Sequence, residues 1–110
     1  GKLTLKHVAC LSAKAKMFFG VDTAPMHMAA ATNTPVLTLF GASFPVKWGP
    51  WNNNKNRKSF TDSDAIQSNG KHKLISNMRH EIYYDDGVKK SRGMTLIDYE
   101  TVKSAIDSML

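Results

Sequence analysis

Residues 18–41 read FFGVDTAPMHMAAATNTPVLTLFG. Met17 and the apolar residues after it form a short unbroken run, the composition of a strand buried on both faces. The run ends at Asp22-Thr23, and Pro25 follows, a residue tolerated only in the first turn of a helix. The alanine-rich segment PMHMAAA then favours a helix, and Asn33 offers a left-handed stop before Thr34-Pro35. PVLTLF is a second buried strand, closed by Gly41. Strand, helix and strand in such short succession demand parallel pairing, so the chain is of α/β class, a parallel sheet with flanking helices.

On the N-terminal side, LTLKHVACLSAKAK predicts a further helix with Thr4 as N-cap. Leu5, Val8, Ala9 and Leu11 form its apolar stripe, and Lys14 and Lys16 complement the dipole in its last turn. Beyond Gly41, GASFPVKWGPW predicts a loop rich in proline, glycine and tryptophan. NNNKNRKSFTDSDAIQSNG predicts an exposed, mobile loop. KHKLIS is a candidate short strand, and Asp86-Gly87 predicts a turn within a weak hairpin or an irregular segment. TLIDYETVKSAIDSML predicts a closing helix started by Asp98 or Thr95, with Ile97, Tyr99, Val102, Ala105, Ile106 and Met109 on one face. The expected organisation is a single partial domain over 1–110: a motif-bearing core (1–51), a loop-rich region (52–94) and a closing helix (95–110).

The chain has 110 residues, one cysteine and a formal net charge of +6. A lone Cys10 excludes a disulfide framework and a cysteine-rich metal site, and fits a reducing, cytoplasmic setting. No run of about 18 apolar residues is present to cross a membrane. The positive charge admits an anionic partner: a phosphorylated ligand, a lipid surface or a nucleic acid. Gly1 rather than methionine opens the sequence, which suggests a processed tag or a fragment cut from a longer protein.

The junction at Asp22 is where chemistry is expected. The first N–H groups of a helix lack partners within it and carry the positive end of its dipole, and in a parallel sheet they lie at the ligand-binding edge. A phosphate or diphosphate fits there. Thr23 offers a hydroxyl, Ala24 and Met26 their amides, and His27 on the first turn a further donor. Asp22 would repel a phosphate and suits the hydroxyls of a sugar, or the fixing of the turn. Gly41, Ser43 and Lys47 belong to the loop after the second parallel strand, at the same edge, and are candidate nucleotide or phosphate contacts. Trp48 and Trp51 read as anchors of that loop to the core. His72, His80 and the cluster Lys55, Arg57, Lys58 read as surface, and Asp85-Asp86 as turn chemistry. The residues alone also leave open a simple helix cap at Asp22-Thr23 with a packed His27.

GVDTAPMHMAAATNTPVLTLFGASFPVKWGPW resembles the nucleotide-sugar-binding half of the heptosyltransferase family, glycosyltransferase family 9. That family carries a Val-Asp-Thr/Ser-Gly-Pro-x-His-x-Ala-Ala signature, followed by a Phe-Gly-x-Thr/Ser-x-Pro-x-x-Trp-x-Pro loop. The resemblance implies the Rossmann-like C-terminal domain of a glycosyltransferase B fold. It also implies an inverting, metal-independent transfer of heptose, or a related sugar, from an ADP-sugar to the lipopolysaccharide inner core of a bacterium. Asp22 then corresponds to the donor-sugar contact; Thr23, Ala24, Met26 and His27 to the diphosphate-binding turn; and Leu3 to an apolar residue under the adenine. No catalytic residue is expected in this chain, because the family's general base and acceptor site belong to the N-terminal domain, so the chain alone is expected to be inactive. Neither cofactor nor metal is implied, nucleic acid is not an expected partner, and the setting is cytoplasmic, with peripheral contact at the inner membrane allowed. Ala24 departs from the family's usual glycine. A stand-alone nucleotide- or phosphate-binding module and a basic membrane- or nucleic-acid-binding domain are the alternatives.

Overall fold

The computed structural model describes residues 2–41, 43–52 and 60–110. In chain order the elements are α1 (Leu5–Lys14), β1 (Phe18–Val21), α2 (Ala24–Ala31), β2 (Val36–Phe40), α3 (Pro45–Trp48), β3 (Ala65–Asn69) and β4 (His72–Ser76). They are followed by β5 (Ile82–Asp85), β6 (Val88–Ser91), α4 (Arg92–Leu96) and α5 (Tyr99–Met109). β1 to β4 form one sheet in the order β1-β2-β4-β3, with β1, β2 and β4 parallel and β3 antiparallel at the far edge. β5 and β6 form a separate hairpin. The sheet is thus parallel-dominant and flanked by helices, as the strand–helix–strand pattern required.

Local signals explain the elements. Thr4 caps α1: its hydroxyl accepts from the His7 amide at 3.2 Å, and the His7 ring accepts from the Thr4 amide at 3.3 Å. Histidine here does the reciprocal work usual for Glu or Gln. Asn33 has φ 64° and ends α2 in the left-handed region. Asp86 (φ 51°) and Gly87 (φ 77°) both take left-handed geometry, so the β5–β6 segment is a two-residue hairpin. Asp98, not Thr95, caps α5, accepting from the Thr101 amide at 2.7 Å. Hydrogen bonds from the Thr101 side chain and then its amide hold the Asp98 carboxyl below the ordinary aspartate range.

The core has two halves. On one face Met26, Ala29 and Ala30 of α2 meet Val36, Phe40 and Leu74, with Phe18 and Phe60 closing the cluster. On the other, Leu37 and Ile75 meet Ala105, flanked by Ile97, Val102, Ile106 and Met109. Tyr99, expected on this apolar face, is 73% exposed.

Several expectations are corrected. β1 is an edge strand with alternating burial, and Phe19 and Val21 are exposed rather than enclosed on both faces. Leu5 and Leu11 of α1 are exposed too, because α1 turns Ser12 inward, where its carbonyl accepts from the Thr34 hydroxyl at 2.7 Å. The loop after Gly41 contains a one-turn helix, α3, whose Val46 amide is capped from a distance by Asp62 at 2.9 Å. Within the stretch expected to be a mobile loop, Ala65–Asn69 is a strand and Phe60 is buried; residues 53–59 of that stretch lie outside the described residues, as does the basic cluster at 55–58.

His72 is not a surface residue. Only 1% exposed, it accepts from the Val36 amide through Nδ1 at 3.1 Å and bonds the backbone of Trp51. With Nδ1 accepting, the ring is neutral, and burial holds its pKa below the ordinary histidine value.

Candidate functional site

Because β1 and β2 run parallel, their carboxyl ends deliver Asp22 and Gly41 to the same sheet edge. A cleft of about 240 Å³ opens there, bounded by Val21, Asp22, Phe40, Gly41, Ser43 and Met94. Asp22 accepts a hydrogen bond from His27 Nε2 at 2.8 Å, with the carboxylate side chain 20% exposed and the imidazole 38%. Strand end and first helical turn are thereby clasped into one polar unit.

Thr23 occupies the N-cap position of α2 with extended geometry, yet its side chain makes no capping bond. Its hydroxyl donates only weakly, at 3.4 Å, to the Val21 carbonyl. Thr23 and Ala24 are exposed, and the Ala24 amide has no partner among the described residues. Pro25 has no N–H to give. The amides of Met26 and His27 both donate to the Thr23 carbonyl, at 3.1 and 3.3 Å, and the Met26 side chain is wholly buried in the core. Met26, expected to offer its amide to a ligand, is therefore engaged within the turn. The donors left facing the cleft edge are the Ala24 N–H and the Thr23 hydroxyl, while His27 gives its Nε2 proton to Asp22.

α3 stands beside this turn. Trp48 meets the His27 ring edge-on, with centroids 6.4 Å apart and planes at 61°. Lys47 Nζ lies 5.1 Å from the centroid of the Trp48 ring. Trp48 and Trp51 are 46% and 55% exposed, so neither is the core anchor that was expected. Lys47 does not line the Asp22 cleft; it borders a neighbouring cavity of about 210 Å³ with Pro45, Gly49, Trp51 and Asn52.

Gly41 has a second task. Its carbonyl accepts from Ser91 Oγ at 2.8 Å, and a Cβ at this position would collide with the backbone of Met94 and Gly93. The glycine admits α4 to the sheet edge. Sequence inspection missed Met94 and Asp62, which are remote in sequence and carry no local motif. The Ser91 N-cap of α4, accepting from the Met94 amide at 3.4 Å, was the available signal for the first. Leu3 is 58% exposed and lines a different groove with His7, Cys10, Leu11 and Lys14, so the structure does not bring it to the Asp22 cleft. Among the described residues no cluster of three or more His, Cys, Asp or Glu could hold a metal ion. Nor is any helix among them long and apolar enough to cross a membrane.

The chain is similar to lipopolysaccharide heptosyltransferase 3 of Escherichia coli, with 50% identity over 54 residues, 49% of this chain and 16% of the relative. The protein of the same name from strain K12 is 48% identical over 54 residues, with the same shares. Lipopolysaccharide core heptosyltransferase OpsX of Haemophilus influenzae is 32% identical over 71 residues, 64% of this chain and 20% of that protein. No solved structure matches the chain significantly. The family model of glycosyltransferase family 9 (heptosyltransferase) matches residues 1–77, which include β1, α2, β2 and the whole Asp22 junction, and the chain belongs to that family.

Proposed function

We propose that this chain is the C-terminal, donor-binding portion of a glycosyltransferase B enzyme that moves heptose, or a related sugar, from an ADP-sugar to the lipopolysaccharide inner core. The observation that carries this reading is the Asp22–His27 pair at 2.8 Å, set at the carboxyl edge of parallel strands and beside the first turn of α2. It combines a carboxylate suited to sugar hydroxyls with donors suited to a diphosphate. Membership of a heptosyltransferase family supports heptose as the sugar that is moved.

In this mechanism an acceptor hydroxyl, activated by a base outside this chain, attacks the anomeric carbon from the face opposite the diphosphate. The C–O bond to the diphosphate breaks with inversion, and ADP leaves. Negative charge grows on the leaving oxygens, where the dipole of α2, the Ala24 amide, the Thr23 hydroxyl and His27 stabilise it without a metal. Ser43 and Lys47 offer further contacts to the nucleotide. Without acceptor site or base the chain alone does not turn over, and the enzyme works in the cytoplasm against the inner membrane where its acceptor is built.

An amide-resolved NMR titration tests the reading. ADP-heptose should give saturable shifts confined to Val21–Met28 and Gly41–Lys47, stronger than those from UDP or sulfate and lost in His27→Ala. Shifts scattered over lysine-bearing surfaces and abolished by salt would instead favour a basic interaction domain.

A further inference from the structure

The bond between Asp22 and His27 fixes where the imidazole keeps its proton. An ionised carboxylate only accepts, so the hydrogen in the 2.8 Å contact sits on Nε2. In neutral histidine, Nδ1 then carries a lone pair. Nδ1 has no partner among the described residues and is not sealed from solvent. Against a phosphate oxygen this is a mismatch, because lone pair would face lone pair. A proton on Nδ1 turns the mismatch into a charge-assisted donor.

Resting on the donor-site reading, we infer that a sugar nucleotide binds this junction together with a proton, which His27 takes up from solvent at Nδ1. Asp22 and His27 pass from carboxylate–imidazole to carboxylate–imidazolium as the diphosphate arrives. The bound imidazolium is then flanked by Asp22 on one side and the diphosphate on the other. His27 thus reads the charge of the donor, and Asp22 acts on that charge through His27 as well as on the sugar.

Asp22 makes the one ion pair of His27 among the described residues. Lys47, held over Trp48, is a cation on α3, the element that meets the His27 ring through Trp48. The packed strands β1 and β2 carry no titratable residue. α1, which packs against α2, carries Lys6, His7, Cys10 and Lys14, and none of them bonds His27.

Calorimetry with ADP-heptose tests the inference, because both its phosphates are diesters and do not themselves titrate near neutral pH. At pH 7.5, in buffers of different ionisation enthalpy, the wild-type chain should take up close to about one proton per donor bound, and affinity should fall by up to about tenfold per pH unit at higher pH. His27→Gln, which can donate without titrating, should bind with no uptake. Asp22→Asn, which can still accept from Nε2, should reduce the uptake. Ring ¹⁵N shifts of His27 should change from the Nε2–H tautomer to imidazolium on saturation. Saturable binding without buffer dependence, or uptake that persists in His27→Gln, overturns the inference and leaves the donor site standing. Absence of saturable ADP-heptose binding overturns the donor site and the inference together.

Discussion

At the scale of single residues, His72 shows how little composition says about a side chain's role. Lys71 and Lys73 flank it, and that neighbourhood reads as surface; the register of β4 instead puts His72 inside, between the Val36 amide and the Trp51 backbone. Its folded pKa lies below the ordinary value of 6.5 because burial disfavours the cation. The unfolded chain therefore binds the proton more readily. Stability is complete above pH 6.5 and declines as pH falls from there toward the lower folded value. Urea midpoints at pH 7.5, 6.0 and 5.0 should show that decline. His72→Leu should flatten this part of the profile while lowering stability at pH 7.5 by about 2 kcal/mol, since both backbone partners lose their bond. Asp22 and His27 were recognisable in advance because their chemistry is local to a strand–helix junction. That each would bond the other was not, since this depends on rotamers no sequence pattern specifies.

At the scale of elements, regular periodicity was readable and long-range support was not. Thr4, Pro25, Asn33 and Asp98 announced helix ends through their own backbone and side-chain chemistry. β3 could not be seen the same way: Ala65–Asn69 is polar, alternates in burial and becomes a strand only by pairing with β4. α3 likewise depends on Asp62, sixteen residues from the amide it caps. The contact between β2's end and α4 is the element-level feature most open to test. Gly93 would collide with Gly41 if it carried a Cβ, just as Gly41 would with it, so two glycines share one close approach. Gly41→Ala should lower stability by about 1–3 kcal/mol. It should also move the Met94 amide resonance, and a melting curve with a ¹H–¹⁵N spectrum would check both.

Across the whole molecule, the parallel core of β1, α2 and β2 followed from the sequence because apolar runs and breakers there obey one simple rule. Edges did not follow, since strand composition does not say which neighbours are present. Among the described residues β1 has no partner on its outer edge, and it exposes the side chains of Phe19 and Val21, at 47% and 40% exposure, with Leu5 and Leu11 exposed on α1. Such an edge invites strand addition by another chain. Sedimentation velocity should show concentration-dependent self-association, and Phe19→Lys should suppress it without altering the ¹H–¹⁵N pattern of α2. The bond from Ser91 to Gly41 spans fifty positions and sets Met94 against the cleft. During synthesis the Asp22 junction therefore emerges long before its far wall does. A nascent chain paused before Arg92 would present the Asp22 turn open on one side, and the cleft would gain that wall only once α4 is made.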